Sequence, residues 1–549
     1  MSARVCVGVA LAIVLVTRVP AAEPAPPPRA VVDADAIAAI IDRHLAADWQ
    51  ARGIKPAAPA DDAEFARRVY LDLIGRAPRV AELREFLEST DSRKREKLVE
   101  KLFSLPSHAA HFAAITRAQW LPQTITNQQF AFFGSQLEVF LRTRLVENTP
   151  ADAVVRRLLT PGLRINGVNN GGNLRFLQPD PNDPESQLLI AFYQANEAKP
   201  ENAGAAISRL FLGVKLECAQ CHDHPFAPYT KEQFWEFAAF FADLNVLPNR
   251  RPSEGASKEP QGDINRITIP NTDKVVVAKF FDGSNPKWSE SRSPRQELAE
   301  WLTRPENPYF ARNLANRMWS HFFGLGILDP VDEPGENNPP SHPALLDELG
   351  RAFAQAKFDN RTLIRGIIRS KAYQLSSKLS HPTQASPRSF ARMNLKGLSP
   401  AQLFDTLVAA TGYRENPQYK LNQQFGAILP QQDNPRSLFL GRFASTDKLT
   451  ETSTTILQAL MLMNGGFIDS QTTVDKSEIL GAVVDVPGWD TKRRIDTIFL
   501  SALSRQPTAE EMEKFSSYVD RAGDDEKKKK ALGDVFWVLL NSPEFLFNH

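Results

Sequence analysis

Cysteine is almost missing from this chain, with three in 549 residues. A scaffold stapled by several disulfides scatters many more along its length, so that class is excluded. Charge of either sign is not in excess: 65 Lys and Arg stand against 64 Asp and Glu, a formal net charge of +1. The basic excess of a nucleic-acid-binding surface is lacking, and no nucleic-acid partner is expected. Convincing strand patterns are confined to one short stretch. No Gly-x-Ser-x-Gly elbow, phosphate loop or dinucleotide fingerprint occurs, so the residues name no enzyme class. What is present is an ordinary globular balance, 42% hydrophobic and 23% charged, in a chain long enough for two or three domains.

The first residues read as an export signal. Arg4 gives the positive start, Val5 to Val16 is an apolar run, and Val19-Pro20-Ala21 resembles a small-residue cleavage site. The run is too short for a comfortable membrane span, so residues 1–22 are expected to be removed, leaving no span. Cys6 leaves with them. The mature chain then holds only Cys218 and Cys221, in an exported setting: periplasm or cell envelope.

Those two stand in Glu217-Cys218-Ala219-Gln220-Cys221-His222-Asp223-His224-Pro225-Phe226. Two cysteines three apart, with histidine next, form the local signature of c-type haem attachment. Each thiol adds to one vinyl group on the porphyrin edge, and the following imidazole becomes the proximal iron ligand. The same residues leave two alternatives open. With His224 added, Cys218, Cys221 and His222 supply the sulfur and nitrogen donors that suit zinc or another divalent metal, with Asp223 placed to orient an imidazole. The two thiols can also simply oxidise to a strained, easily reduced disulfide. A sixth ligand for haem is not evident: Met318, His321, His342, Met461 and Met463 stand in no diagnostic context.

Around this motif the periodicity is helical. Asp33 or Asp35 caps a helix carrying Ile37, Ile40, Ile41 and Leu45, and Asp61-Asp62 opens a second with Phe65, Val69, Tyr70 and Leu73 on one face. An amphipathic helix over Ala203 to Leu216 delivers Cys218, and Thr230 caps an aromatic helix bearing Phe234, Trp235, Phe237, Phe240 and Phe241. Residues 162–184 are expected to be irregular. Leu247 to Asp263 is the strongest linker signal. Ile267-Thr268-Ile269 and Val275-Val276-Val277 read as strands joined by a turn at Asn271-Thr272-Asp273. After Pro294 the pattern returns to helices. Val69, Tyr70, Ile74, Arg76, Pro78, Glu82, Leu83 and Phe86 align at one constant offset with Ile498, Phe499, Leu503, Arg505, Pro507, Glu511, Met512 and Phe515. Internal duplication and two independent helix–turn–helix units both explain this.

Three stretches resemble a known family. Phe65 to Gly75 and Phe211-Leu212-Gly213-Val214 leading into Cys218 to Phe226 resemble the cytochrome-c-type domain of unknown function found in exported planctomycete proteins. Asn313 to Asp329, with Asn338 to Pro343 and Ser370 to Gln374, resemble its companion planctomycete-specific C-terminal domain, also of unknown function. The resemblance implies an exported, mostly helical protein and says little of mechanism. Ala227 stands where the family often has an acidic residue, and Pro122 where it often has Asp after Trp-Leu, so any metal or partner those carboxylates serve is in doubt.

The expected architecture is mainly α: a signal at 1–22, the cytochrome-type domain at 33–246, a linker with short strands at 247–290, and the companion helical domain at 291–549. The leading functional expectation is an exported haem c protein with an electron-transfer or redox role and an exported redox partner. Cys218 and Cys221 would be its attachment points and His222 its ligand. The competing expectation is a non-haem cell-envelope binding or scaffold protein, linked to carbohydrate processing, whose Cys/His site holds metal or a disulfide. Of the other histidines, His342 reads as part of a structural loop whose Ser341 caps the next helix, and His321 as a core residue. His108 and His111, three apart, lack a third metal ligand. Asp329, Asp332, Glu333 and Glu336 lack calcium-loop spacing and read as solvated surface.

Overall fold

In the computed structural model the residues described are 32–126, 130–165, 177–224, 227–245, 264–289, 291–414, 435–443 and 466–549. The expected signal, residues 247–263 of the expected linker, and Met461 and Met463 lie outside them. The fold is mainly α, with strands in short antiparallel pairs. Among the described residues no helix is long and apolar enough to cross a membrane.

The first helix, Ala34–Ala51, begins where the Asp33 carboxylate accepts from Ala36 N and turns Ile37, Ile41 and Leu45 inward. It packs on the helices Pro343–Gln355 and Asn360–Arg369. The expected hairpin forms, pairing Arg266–Thr268 with Val275–Val277, so its first strand starts one residue earlier than expected, and Asn271 is in the left-handed region at its turn. Two further pairs were not foreseen: Leu163–Ile165 with Leu177–Pro179, inside the stretch expected to be irregular, and Lys396–Gly397 with Phe547–Asn548.

Residues Val32–His549 make one compact unit. One apolar core takes in residues from Ile37 to Met393 together with Leu500, and includes Ile267 and Val276 of the hairpin, so the expected linker stretch contributes to it. A second core gathers Leu403 to Leu546.

The helix Asp62–Ile74 is buried along every face from Phe65 to Ile74, including Arg67, Arg68 and Asp72. Buried charges require partners, and distant segments supply them. Asp72 accepts from Tyr373 Oη at 2.7 Å, Lys396 Nζ at 2.5 Å and Asn548 Nδ2 at 2.7 Å. Its backbone carbonyl lies 2.9 Å from His321 Nε2. Arg68 donates to Tyr373 O at 2.5 Å, Glu64 at 2.7 Å and His549 O at 3.1 Å. Arg67 donates to the carbonyls of Ala502 at 3.4 Å and Phe545 at 3.0 Å. The carbonyl-rich C-terminal end of the helix Thr491–Leu503 thus faces a guanidinium, the favourable sign.

The two aligned stretches share geometry as well as sequence. Arg76 forms a bidentate pair with Glu82, both bonds 2.8 Å, across the turn between the helices Asp62–Ile74 and Val80–Glu88. Arg505 repeats it with Glu511 at 2.8 and 2.9 Å across the turn between Thr491–Leu503 and Ala509–Asp520. In both, the glutamate also accepts the N-cap N–H at 2.8 Å, from Arg79 or Thr508. Each turn residue, Gly75 or Ser504, is left-handed, and each arginine lies over an aromatic ring, Tyr70 or Phe499.

Candidate cofactor-attachment site

The helix expected over Ala203 to Leu216 stops early. It is α-helical over Pro200–Ile207, widens into a π turn at Ser208–Leu212 and ends at Gly213, whose φ of 72° suits a residue without Cβ. A β-carbon there would also stand 2.7 Å from Asn313 Oδ1. The chain then makes a 3-10 turn, Leu216–Ala219, which carries Cys218.

Leu216 and Ala219 point into the core while Cys218, Cys221 and His222 face solvent. Both thiols are free. The floor beneath them is filled: Trp235 is 3% exposed and donates from Nε1 to Gln220 O at 3.1 Å. Trp235 belongs to the helix Lys231–Ala238, whose start is fixed by a capping box between Thr230 and Gln233. Asp223 adds a second tie, its carboxylate accepting from Lys231 N at 2.8 Å. The motif is thus tied to the aromatic helix at Gln220 and at Asp223.

The imidazole of His222 has a defined orientation. Its Nδ1 lies 2.7 Å from Asp223 O. A carbonyl only accepts, so Nδ1 carries the hydrogen, and the neutral ring keeps its lone pair on Nε2. Asp223 therefore orients His222 through its main chain, not through its carboxylate. His224 is half-buried, its N–H bonded to Tyr229 O at 2.8 Å and its ring edge-on to Tyr229.

Electrostatics separate Cys218 from bulk behaviour. Burial, and then the neighbouring Glu217 carboxylate, push its thiol up, favouring the protonated form. Glu217 is itself pushed up by burial, and its Oε2 is buried without a hydrogen-bond partner. The expected acidic surface turn lies close by and is tied down. Lys215 N donates to Asp332 O at 3.1 Å, and Lys215 Nζ pairs with Glu333.

Two accessible thiols and an imidazole with a free Nε2 are the donor set that covalent haem attachment requires. The packed floor leaves the solvent side for any attached group. Among the described residues no three of His, Cys, Asp and Glu gather into a group that could hold a metal ion. The alternative site of Cys218, Cys221, His222 and His224 is therefore not assembled as it stands.

The remaining histidines lie elsewhere. His108 Nδ1 bonds Leu73 O at 2.9 Å, the Nε2 of His111 is buried and unpartnered, and the His111 ring centre lies 6.0 Å from that of His321. Ser341 does not cap the following helix; its Oγ donates to Ile327 O at 3.1 Å, and His342 occupies the N-cap without a side-chain cap bond. That Asn313 and Arg317 act on the motif was not foreseen, since single polar residues in an amphipathic helix read as solvent-facing.

Residues 40–246 match the family PSCyt2, Protein of unknown function (DUF1549), and residues 294–519 match PSD1, Protein of unknown function (DUF1553). The two stand in tandem, as in the planctomycete-type two-domain architecture. No curated protein and no solved structure matches the chain.

Proposed function

We propose that this chain, joining a DUF1549 segment to a DUF1553 segment, is an exported c-type haem protein with an electron-transfer or redox role. Cys218 and Cys221 are the attachment thiols, and His222 is the iron ligand. One observation carries the reading: two free, solvent-facing thiols lie beside an imidazole whose Nδ1 is engaged by Asp223 O, leaving Nε2 available. Bound haem would supply one-electron chemistry at its iron. The chain's own part is to present the thiols, fix the tautomer of His222 and hold the segment against the Lys231–Ala238 helix. Exposed placement suits exchange with an exported redox partner.

A second reading draws on the filled floor under the motif, which suits a small guest better than a porphyrin. In it, the chain is a cell-envelope binding or scaffold protein whose dithiol closes to a disulfide or takes up zinc. Expression with a haem-maturation system separates the two. The haem reading expects a covalent mass increase of one haem and a Soret band, with covalent attachment abolished in the Cys218→Ser/Cys221→Ser double variant. An unmodified mass without a Soret band overturns it, and bound zinc or a mass two hydrogens lighter selects the second reading.

A further inference from the structure

The turn that presents the cysteines is held by the other matched segment. The π turn Ser208–Leu212 leaves carbonyls that the helix itself does not satisfy. Two are capped by side chains of the helix Phe310–Phe323, which lies in the DUF1553 match. Asn313 Nδ2 donates to Leu210 O at 2.6 Å, and Arg317 Nη2 donates to Arg209 O at 2.6 Å. A third contact follows at once, Lys215 N to Asp332 O at 3.1 Å. Asn313 is 5% exposed. The Arg317 side chain is 11% exposed and is held within 3.8 Å of Asp332 Oδ2. Gly213 permits this approach, because any Cβ there would strike Asn313.

These three contacts fall on residues 209, 210 and 215, between the end of the regular helix and Cys218. They span a backbone with few internal bonds of its own: the N–H of Val214 reaches back to Ser208 O, and that of Leu216 to Val214 O. We propose that the DUF1553 segment is the holder of the cysteine motif, with Asn313 and Arg317 as positioning residues that fix the backbone delivering Cys218. The inference deepens the attachment-site reading and rests on it for its purpose, but the holding itself is independent of which group the thiols carry. It also gives a physical reason for the two segments to occur in one chain: the first has the reactive residues and the second has the donors that keep them in place.

Hydrogen exchange on the full-length protein, without haem, tests the holding directly. Asn313→Asp keeps side-chain size and removes the donor to Leu210 O. Arg317→Met keeps the apolar stem and removes the donor to Arg209 O. Each loses a buried hydrogen bond, so exchange across residues 208–224 is expected to quicken by about tenfold or more. Peptides from Ala34–Ala51 and Thr491–Leu503 should keep wild-type rates. Gly213→Ala, which acts from the motif's own side, should give the same local pattern. Unchanged exchange at 208–224, or acceleration spread evenly over the whole chain, overturns the proposal. Whether haem attaches is read separately by mass, so failure of the attachment reading leaves this result standing.

Discussion

Removing the Asp72 carboxylate should be among the most damaging single changes available in this fold. In Asp72→Ala, Lys396 Nζ keeps only carbonyl partners, His321 O at 3.1 Å and Phe322 O at 2.9 Å, while Tyr373 Oη and Asn548 Nδ2 lose their common acceptor. Asp72 is 1% exposed and Lys396 9%, so water cannot replace the lost oxygens without opening the seam. Breaking one side of a buried ion pair costs about 3–5 kcal/mol, and each orphaned donor adds to it within the same range. Burial already pushes the Lys396 ammonium down, so part of the cost is relieved by its losing a proton. A net loss of about 3–4 kcal/mol is expected. Urea unfolding followed by far-ultraviolet circular dichroism measures it. Asp72→Ala combined with Lys396→Met removes the unpaired charge and should recover about 1–2 kcal/mol of the loss. A cost below about 1 kcal/mol for Asp72→Ala, or a double variant no better than the single, would refute the view that this buried pair ties the seam together.

Acid should destabilise the protein earlier than its carboxylates alone would dictate. Burial pushes His108 down to about 4 and holds His111 and His321 below their usual range. Above about pH 6.5 folded and unfolded imidazoles are both neutral; below it the unfolded chain takes up protons that the folded chain refuses. Stability therefore falls between pH 6.5 and 4, by about 3 kcal/mol for His108 alone. Urea midpoints recorded from pH 7.5 to 5 should decline over this window, and a flat profile would contradict the assignment. The two arginine clasps should not be equal. Arg505 also reaches Glu544, at 2.6 and 2.7 Å, whereas Arg76 pairs with Glu82 alone among the carboxylates it bonds. Arg505→Met is expected to cost about 2–3 kcal/mol and Arg76→Met about 1 kcal/mol, read from the same urea curves.

Much of the scaffold was legible because helices announce themselves by spacing. Ile37, Ile41 and Leu45 repeat on one face and lie fully buried, and the Thr230–Gln233 box marks the aromatic helix at its true start. The seam was not legible. Arg67, Arg68 and Asp72 in a helix suggest a wet face, and apart from Glu64 beside Arg68 the side chains and carbonyls that engage their charges lie some 300 or more positions away. The pair Lys396–Gly397 with Phe547–Asn548 is two residues long, too short for any alternation to show. At the motif, the residues that carry chemistry were visible from type and spacing alone. The early end of the preceding helix was not, because the stop depends on Gly213 meeting Asn313 across the fold.

The pairing of Arg67 and Asp72 with residues beyond position 500 sets the order of events during synthesis. The helix Asp62–Ile74 leaves the ribosome early, but the carbonyl of Phe545 and the amide of Asn548 that complete its surroundings are among the last groups made. Until then three ionised side chains have nowhere dry to go, and contacts of such long range close slowly. Growing chains would therefore stay loose until synthesis is nearly finished.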